Sequence, residues 1–196
     1  MKGMQMVFCD RKNELKGLDD LYARDRGILA VAYGRRGIGK TTLIQHWITT
    51  RRHRVIFWNA RPMSPQGQLQ SFSQAVRAFA LHEGTVPSDF TYASWDDAFE
   101  EILRFAQQER LVVVLDDYDQ LIACGSDLPR SLQRLWDHRL QDSKVMLFLV
   151  GSNVRVFEYD VLSYRAPLCC MDVRGGSRIC VHSRSPISNR ACQISR

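Results

Sequence analysis

Apolar positions along the 196-residue chain follow two alternating rhythms. Four short runs are apolar almost throughout: GILAVAY (Gly27–Tyr33), RVIFWNA (Arg54–Ala60), LVVVLDD (111–117) and KVMLFLVGS (144–152). Runs of this length bounded by polar residues read as strands, and continuous apolarity is what a strand covered on both faces needs. Between them apolar residues recur three and four apart, the spacing of one helical face. Leu15, Leu18, Leu21 and Tyr22 follow Asp10, taken as an N-cap; Leu43, Ile44, Trp47 and Ile48 follow a helix start at Thr41. Leu69, Phe72, Val76 and Phe79 form a third stripe after an expected loop RPMSPQG (Arg61–Gly67). Trp95, Ala98, Phe99, Ile102 and Phe105 form a fourth behind Ser94, a residue type that caps helices. Leu128, Leu132, Leu135 and Trp136 form a fifth, started by Asp127 and Pro129. The tryptophans and phenylalanines in these stripes keep step with leucines, so they are read as packing residues. Strands alternating with helices predict an α/β fold: a three-layer sandwich with a mostly parallel central sheet.

The rhythm stops after Leu168. Residues 169–196 contain no Leu, Phe, Tyr, Trp, Lys or Glu, and only RICVH (Arg178–His182) reads as a strand. The expected division is therefore one domain over 1–168 and an irregular Arg/Ser/Cys-rich tail over 169–196, with the natural reading lost after Leu168 by a frameshift or a gene-end artefact. Four strands are clear, and a regular fifth flanking Gly27–Tyr33 is expected to be missing, which would leave that strand at a sheet edge.

The tail also changes the meaning of the charge. It carries five arginines and one acid, hence +4 of the net +6, which leaves +2 for the first 168 residues. A near-neutral body argues against direct nucleic-acid binding, which the overall pI would otherwise suggest. Four of the six cysteines lie in the tail, and the spacing of Cys169, Cys170, Cys180, His182 and Cys192 lacks the C-x2-C knuckle of zinc sites. The body, with Cys9 and Cys124 alone, looks like a reduced, cytoplasmic protein. The longest apolar runs are too short to span a membrane, and MKGMQMVFCD has no apolar stretch of signal-peptide length.

Three short pieces carry chemistry. Gly34-Arg35-Arg36-Gly37-Ile38-Gly39-Lys40-Thr41 fits G-x-x-x-x-G-K-[ST] between a strand and a helix. Glycines there let backbone N–H groups turn toward phosphate oxygens, and the helix start adds partial positive charge. The expected nucleotide contacts run from Gly34 through Thr42. Lys40 would reach the terminal phosphates of ATP, and the Thr41 hydroxyl would take a Mg2+ position. Asp116 and Asp117 end the third strand, where open parallel sheets bind ligands. Asp116 is expected to hold the metal and Asp117 to orient an attacking water, so Lys40 and Asp117 are the catalytic candidates. Ser152, in the Gly151-Ser152-Asn153 end of the fourth strand, would sense the terminal phosphate; an ordinary turn fits those residue types equally well. Arg35 and Arg36 could contact phosphate or a neighbouring subunit, and a solvated role serves equally. Slow ATP hydrolysis leads. The alternatives are a nucleotide-gated switch or scaffold with a protein partner or self-association, and a small-molecule phosphotransferase, for which no substrate-binding insert is evident.

The ordered segments FCDRKNEL, AVAYGRRGIGKTTLI, VVVLDDYDQL, LQRLWD, LFLVGSNV and YRAPL resemble the archaeal-type ATPases, P-loop proteins of the STAND/AAA-like class, over about residues 8–168. The family's G-R-R-x-x-G-K-T loop matches Gly34, Arg35, Arg36, Gly39, Lys40 and Thr41. Its F-x-x-R-x-x-E-L matches Phe8, Arg11, Glu14 and Leu15, which implies a segment near the adenine. The L-Q-x-x-W-D pattern matches Leu132, Gln133, Trp136 and Asp137, and the strand-end Gly-Ser matches Gly151 and Ser152. Two departures stand out. Asp116-Asp117 replaces the family's Asp-Glu, and the shorter second acid implies slow turnover. The Y-G-R continuation after Pro167-Leu168 is absent, which implies weaker ATP affinity than in a full-length relative.

Overall fold

The structure, a computed structural model, describes residues 11–81, 84–158 and 178–182. The elements in chain order are α1 (Lys12–Tyr22), β1 (Ile28–Tyr33), α2 (Lys40–Arg51), β2 (Val55–Asn59), α3 (Pro65–Leu81), α4 (Trp95–Phe105) and β3 (Leu111–Asp116). After them come α5 (Asp119–Ala123), α6 (Leu128–His138), a 3-10 turn (Leu140–Asp142), β4 (Val145–Gly151), α7 (Val154–Val156) and β5 (Arg178–His182). They build one sheet in the order β2-β3-β4-β1-β5, with β2, β3, β4 and β1 parallel.

Side chains alternate across the strands, so each apolar run serves two cores. Leu29, Val31 and Tyr33 of β1, with Val113, Leu115, Leu147 and Leu149, face α3, α4 and α6. Ile28, Ala30 and Ala32, with Val112, Val114, Met146 and Phe148, face α1 and α2. Both faces are thus filled, which is why β1, β3 and β4 are buried along their whole lengths.

Several local expectations shift. α3 starts at Pro65, inside the stretch expected to be loop, because the Ser64 hydroxyl accepts from Gly67 N at 3.2 Å and proline suits a first helical turn. Ser94 caps α4 as expected, accepting from Asp97 N at 3.1 Å. Asp127 sits before α6, but its side chain makes no cap bond; the hydroxyl of Ser126 takes Leu128 N instead, at 3.2 Å. Asp10, the expected cap of α1, and Phe8 lie outside the described residues. So do the YRAPL segment and the tail apart from β5, and with them the tail cysteines other than Cys180.

The edge position expected for β1 is corrected. Residues 178–182 pair with it antiparallel, from Leu29 opposite His182 to Tyr33 opposite Arg178, so β1 is an interior strand. An antiparallel strand needs no helical crossover. It can therefore be supplied by five residues in a stretch with no helical rhythm. No helix among the described residues is long and apolar enough to cross a membrane.

Two features generate stability tests. Gly39, between the loop and α2, has φ of 80°, whereas Gly17 lies inside α1 with nothing within 4 Å of the place a methyl group would take. An L-residue in the left-handed region costs about 1–2 kcal/mol. In a helix interior, alanine gains about 0.5–1 kcal/mol over glycine. Urea denaturation should therefore show Gly39→Ala less stable and Gly17→Ala more stable than the parent. The second feature is His53, just past α2. Its ring stacks on Tyr22 at 3.8 Å and lies 4.3 Å from Trp47, with Nε2 buried and unpartnered among the described residues. Burial lowers its pKa below 6.5, against the opposing attraction of Asp19. The unfolded chain then binds the proton first, so the stabilising term present above pH 6.5 is lost as pH falls below it. The stability difference between the parent and His53→Phe, which keeps the stack, should shift toward the variant between about pH 7.5 and 5.5 in urea titrations.

Candidate functional site

β1 ends at Tyr33 and the chain turns through residues 34–39 into α2. Gly39 occupies the N-cap of α2 and offers no side-chain cap, so the first N–H groups of that helix remain available to a ligand. They border a cavity of about 260 Å³ at the carboxyl end of the sheet. Lys40 is 8% exposed, and its Nζ donates to the carbonyl oxygens of Gly34 at 2.9 Å and Arg35 at 3.0 Å. Burial lowers the lysine pKa, opposed by the fields of Asp116, Asp119 and Asp117 in that order. The outer side of the loop is held by Arg11, whose guanidinium donates to the carbonyl oxygens of Ile38 and Gly39. Those carbonyls are occupied from outside, which leaves the amide side for the cavity.

The acidic pair closes the opposite wall. Asp116 is 6% exposed; its Oδ1 accepts from Thr41 Oγ1 and from Asp117 N, each at 3.1 Å. Burial raises its pKa above the ordinary carboxylate value, and the Thr41 bond opposes that shift. Asp117 has φ of 52°, uncommon for a non-glycine residue and a form of strain that clusters at functional sites. Asn59, the last residue of β2, donates Nδ2 to Asp117 Oδ2 at 3.2 Å and reaches Asp116 Oδ2 at 3.4 Å. β4 lies between β1 and β3, so its end brings Gly151 and Ser152 between the loop and the acids.

Most residues singled out from the sequence meet here. Arg36, Gly37, Gly39, Lys40 and Thr41 line the cavity from the loop side, with Thr42 beside them. Asp116, Asp117 and Ser152 line it from the strand ends. Gly34, Arg35 and Ile38 do not line it: the first two offer carbonyls to Lys40, and Ile38 offers its carbonyl to Arg11. Arg35 and Arg36 are both exposed. Sequence reasoning missed two contributors, Asn59 and Asp119, and the loop contact of a third residue it had named, Arg11. Asn59 is a polar residue ending an apolar strand, and that break in the run is the signal that could have found it. Asp119 accepts Ser152 N through Oδ1 at 3.2 Å, and in sequence it is only the third acid of DDYD. Arg11 belongs to the segment expected near the adenine, and the structure places its side chain on the loop carbonyls. Among the described residues no group of three or more His, Cys, Asp or Glu could hold a metal by itself.

Comparisons with known proteins bear on the family and the fold. An uncharacterized protein of Methanocaldococcus jannaschii is 28% identical over 162 residues, covering 83% of this chain and 33% of that protein. The Walker-type ATPase of Pyrococcus abyssi shares the fold with a TM-score of 0.56 at 16% identity, covering 77% of this chain and 49% of that one. A structure of Drosophila ORC bound to GC-rich DNA and Cdc6 matches with a TM-score of 0.50 at 13% identity, over 77% of this chain and 26% of that one. The chain thus spans a third of the length of the curated relative and half or less of these solved chains.

The expectation against direct nucleic-acid binding is corrected by these similarities, because the fold occurs in a solved assembly bound to DNA, that of Drosophila ORC. Net charge is the wrong ground for such an exclusion: a body near neutrality can still carry one sign on one face. The match to the family described as an ATPase domain predominantly from Archaea runs over residues 8–169, most of the chain, and the chain belongs to that family.

Proposed function

We propose that this domain binds ATP together with Mg2+ and hydrolyses it slowly. The observation that carries the reading is the pairing of Thr41 Oγ1 with Asp116 Oδ1 at 3.1 Å, one from the loop helix and one from β3. Mg2+ takes oxygen ligands at about 2.0–2.1 Å in an octahedron, so adjacent ligand oxygens stand about 3 Å apart. The pair fits two neighbouring positions of such a shell, and both are hard oxygen donors. Asp116 is also a buried carboxylate whose hydrogen bonds come from neutral groups, Thr41, Asn59 and the Asp117 amide. A cation there would offset the burial that raises its pKa.

The same test holds for the nucleotide. Uncapped N–H groups at the start of α2 and the Lys40 ammonium face a cavity lined with small residues, the donor set that polyphosphate needs. Lys40 would neutralise charge on the terminal phosphates, and Thr41 and Asp116 would hold the metal. Magnesium, when bound, supplies further neutralisation of the phosphoryl oxygens. Asp117 would orient water and take its proton. Its carboxylate is one methylene shorter than glutamate and is held by Asn59 at 3.2 Å, which limits its reach and accounts for slow turnover. The same tether favours the second reading, a nucleotide-gated switch in which Asp117 rarely engages water.

Phosphate release from the purified chain tests the proposal. Release should require Mg2+ and fall about 100-fold or more in Lys40→Ala, the scale set by loss of one charge-stabilising group. Mg2+-dependent ATP binding without release supports the switch, and absence of ATP binding refutes both readings. Phosphate appearing on an added small-molecule acceptor instead of water would identify a phosphotransferase.

A further inference from the structure

We infer that Asp119 is the positioning residue for Ser152, fixing the end of β4 so that the domain tells a nucleoside triphosphate from a diphosphate; this rests on the ATP-binding reading above. Asp119 does not line the cavity. It lies behind it, 9% exposed, on the short α5 that follows the acidic pair. Two bonds tie this turn to the end of β4. Tyr118 N donates to Val150 O at 2.8 Å, and Ser152 N donates to Asp119 Oδ1 at 3.2 Å. Ser152 follows the last ladder residue of β4, so its N–H has left the sheet and the carboxyl oxygen takes the place of a neighbouring strand.

The intervening residue shows how closely the bracket fits. A Cβ on Gly151 would stand 2.4 Å from Asp119 Oδ1 and 2.2 Å from the ring of Phe157. Only glycine admits both neighbours at once. Phe157 is fully buried, stacks on Tyr33 at 5.6 Å with planes 8° apart, and lies 6.1 Å from Tyr118. Tyr33 ends β1 immediately before the loop. Asp119 and Phe157 therefore join the ends of β1, β3 and β4 from beneath, and Ser152 is the residue this bracket presents to the cavity.

The test uses the full chain and two readouts. In the nucleotide-free chain, exchange protection of the Ser152 amide, followed by NMR, should fall about tenfold in Asp119→Ala, the scale of one net hydrogen bond. In binding, the parent should prefer the non-hydrolysable triphosphate AMP-PNP over ADP. Asp119→Ala should bring the ratio of the two Kd values toward one while changing the Kd for ADP less than twofold. Asp119→Asn keeps an acceptor oxygen and should retain both protection and ratio. Ser152→Ala should collapse the ratio without disturbing Asp119, which keeps the test open if Asp119→Ala does not fold. An unchanged ratio in Asp119→Ala or Ser152→Ala, a parent with equal affinities, or Asp119→Asn behaving as Asp119→Ala overturns the inference alone. A parent that binds neither nucleotide overturns the ATP reading and the inference with it, whatever the Ser152 amide shows.

Discussion

The arrangement of the site depends on one topological constraint: β4 lies between β1 and β3. Strands in a sheet stand about 4.8 Å apart, so the glycine loop after β1 and the acids after β3 start about 10 Å from each other. Register makes the ends level, with Tyr33 opposite Gly151 and Asn59 opposite Asp116. The gap is wide enough for a ligand and narrow enough for Thr41, at the start of α2, to reach Asp116. It also sets the task of β4, which must end in small residues or block the opening. Gly151 and Ser152 meet that requirement, and a side chain at Gly151 would also collide with Asp119 and Phe157 behind the cavity.

Burial gives the site its electrostatic character. Lys40 and Asp116 are both nearly inaccessible, and burial pushes each toward its neutral form, the lysine downward and the aspartate upward. Their hydrogen bonds go elsewhere than to each other: Lys40 donates to loop carbonyls, and Asp116 accepts from Thr41, Asn59 and the Asp117 amide. Charges held this way are costly until opposite charge arrives. A triphosphate for the lysine and a divalent cation for the carboxylate are the partners the proposed function supplies. The surrounding cores on both sheet faces allow this cost, because they fix β1, β3 and β4 without help from the site.

The legible part of the fold was the part with period. β1, β3 and β4 announced themselves as continuous apolar runs because both their faces are covered, and α4 and α6 as stripes because only one of theirs is. α5, five residues long, is too short for a helical period to show, and it carries Asp119. β5 has no covered-strand signature in its sequence, so its pairing with β1 was visible only as the isolated pattern RICVH. In the site the same division holds. Gly34 to Thr41 is contiguous and could be read as a motif, and Asp116-Asp117 could be read from its place at a strand end. Asn59, Arg11 and Asp119 act through hydrogen bonds that span up to 58, 28 and 33 residues of chain, and no local spacing identifies the partner at the far end.

By itself the sequence determined the alternation of strands and helices, the phosphate-type loop and the two strand-end acids, because periodicity, glycine content and short-range spacing are local properties of a chain. Tertiary structure decided which strand stands between which, that Arg11 restrains the loop from outside, that Asn59 holds both aspartates, and that Asp119 and Phe157 bracket Gly151. Each of these depends on strand order and on the packing of residues far apart in sequence. Those quantities are set when the sheet assembles and its two faces are filled, and they leave no periodic trace along the chain.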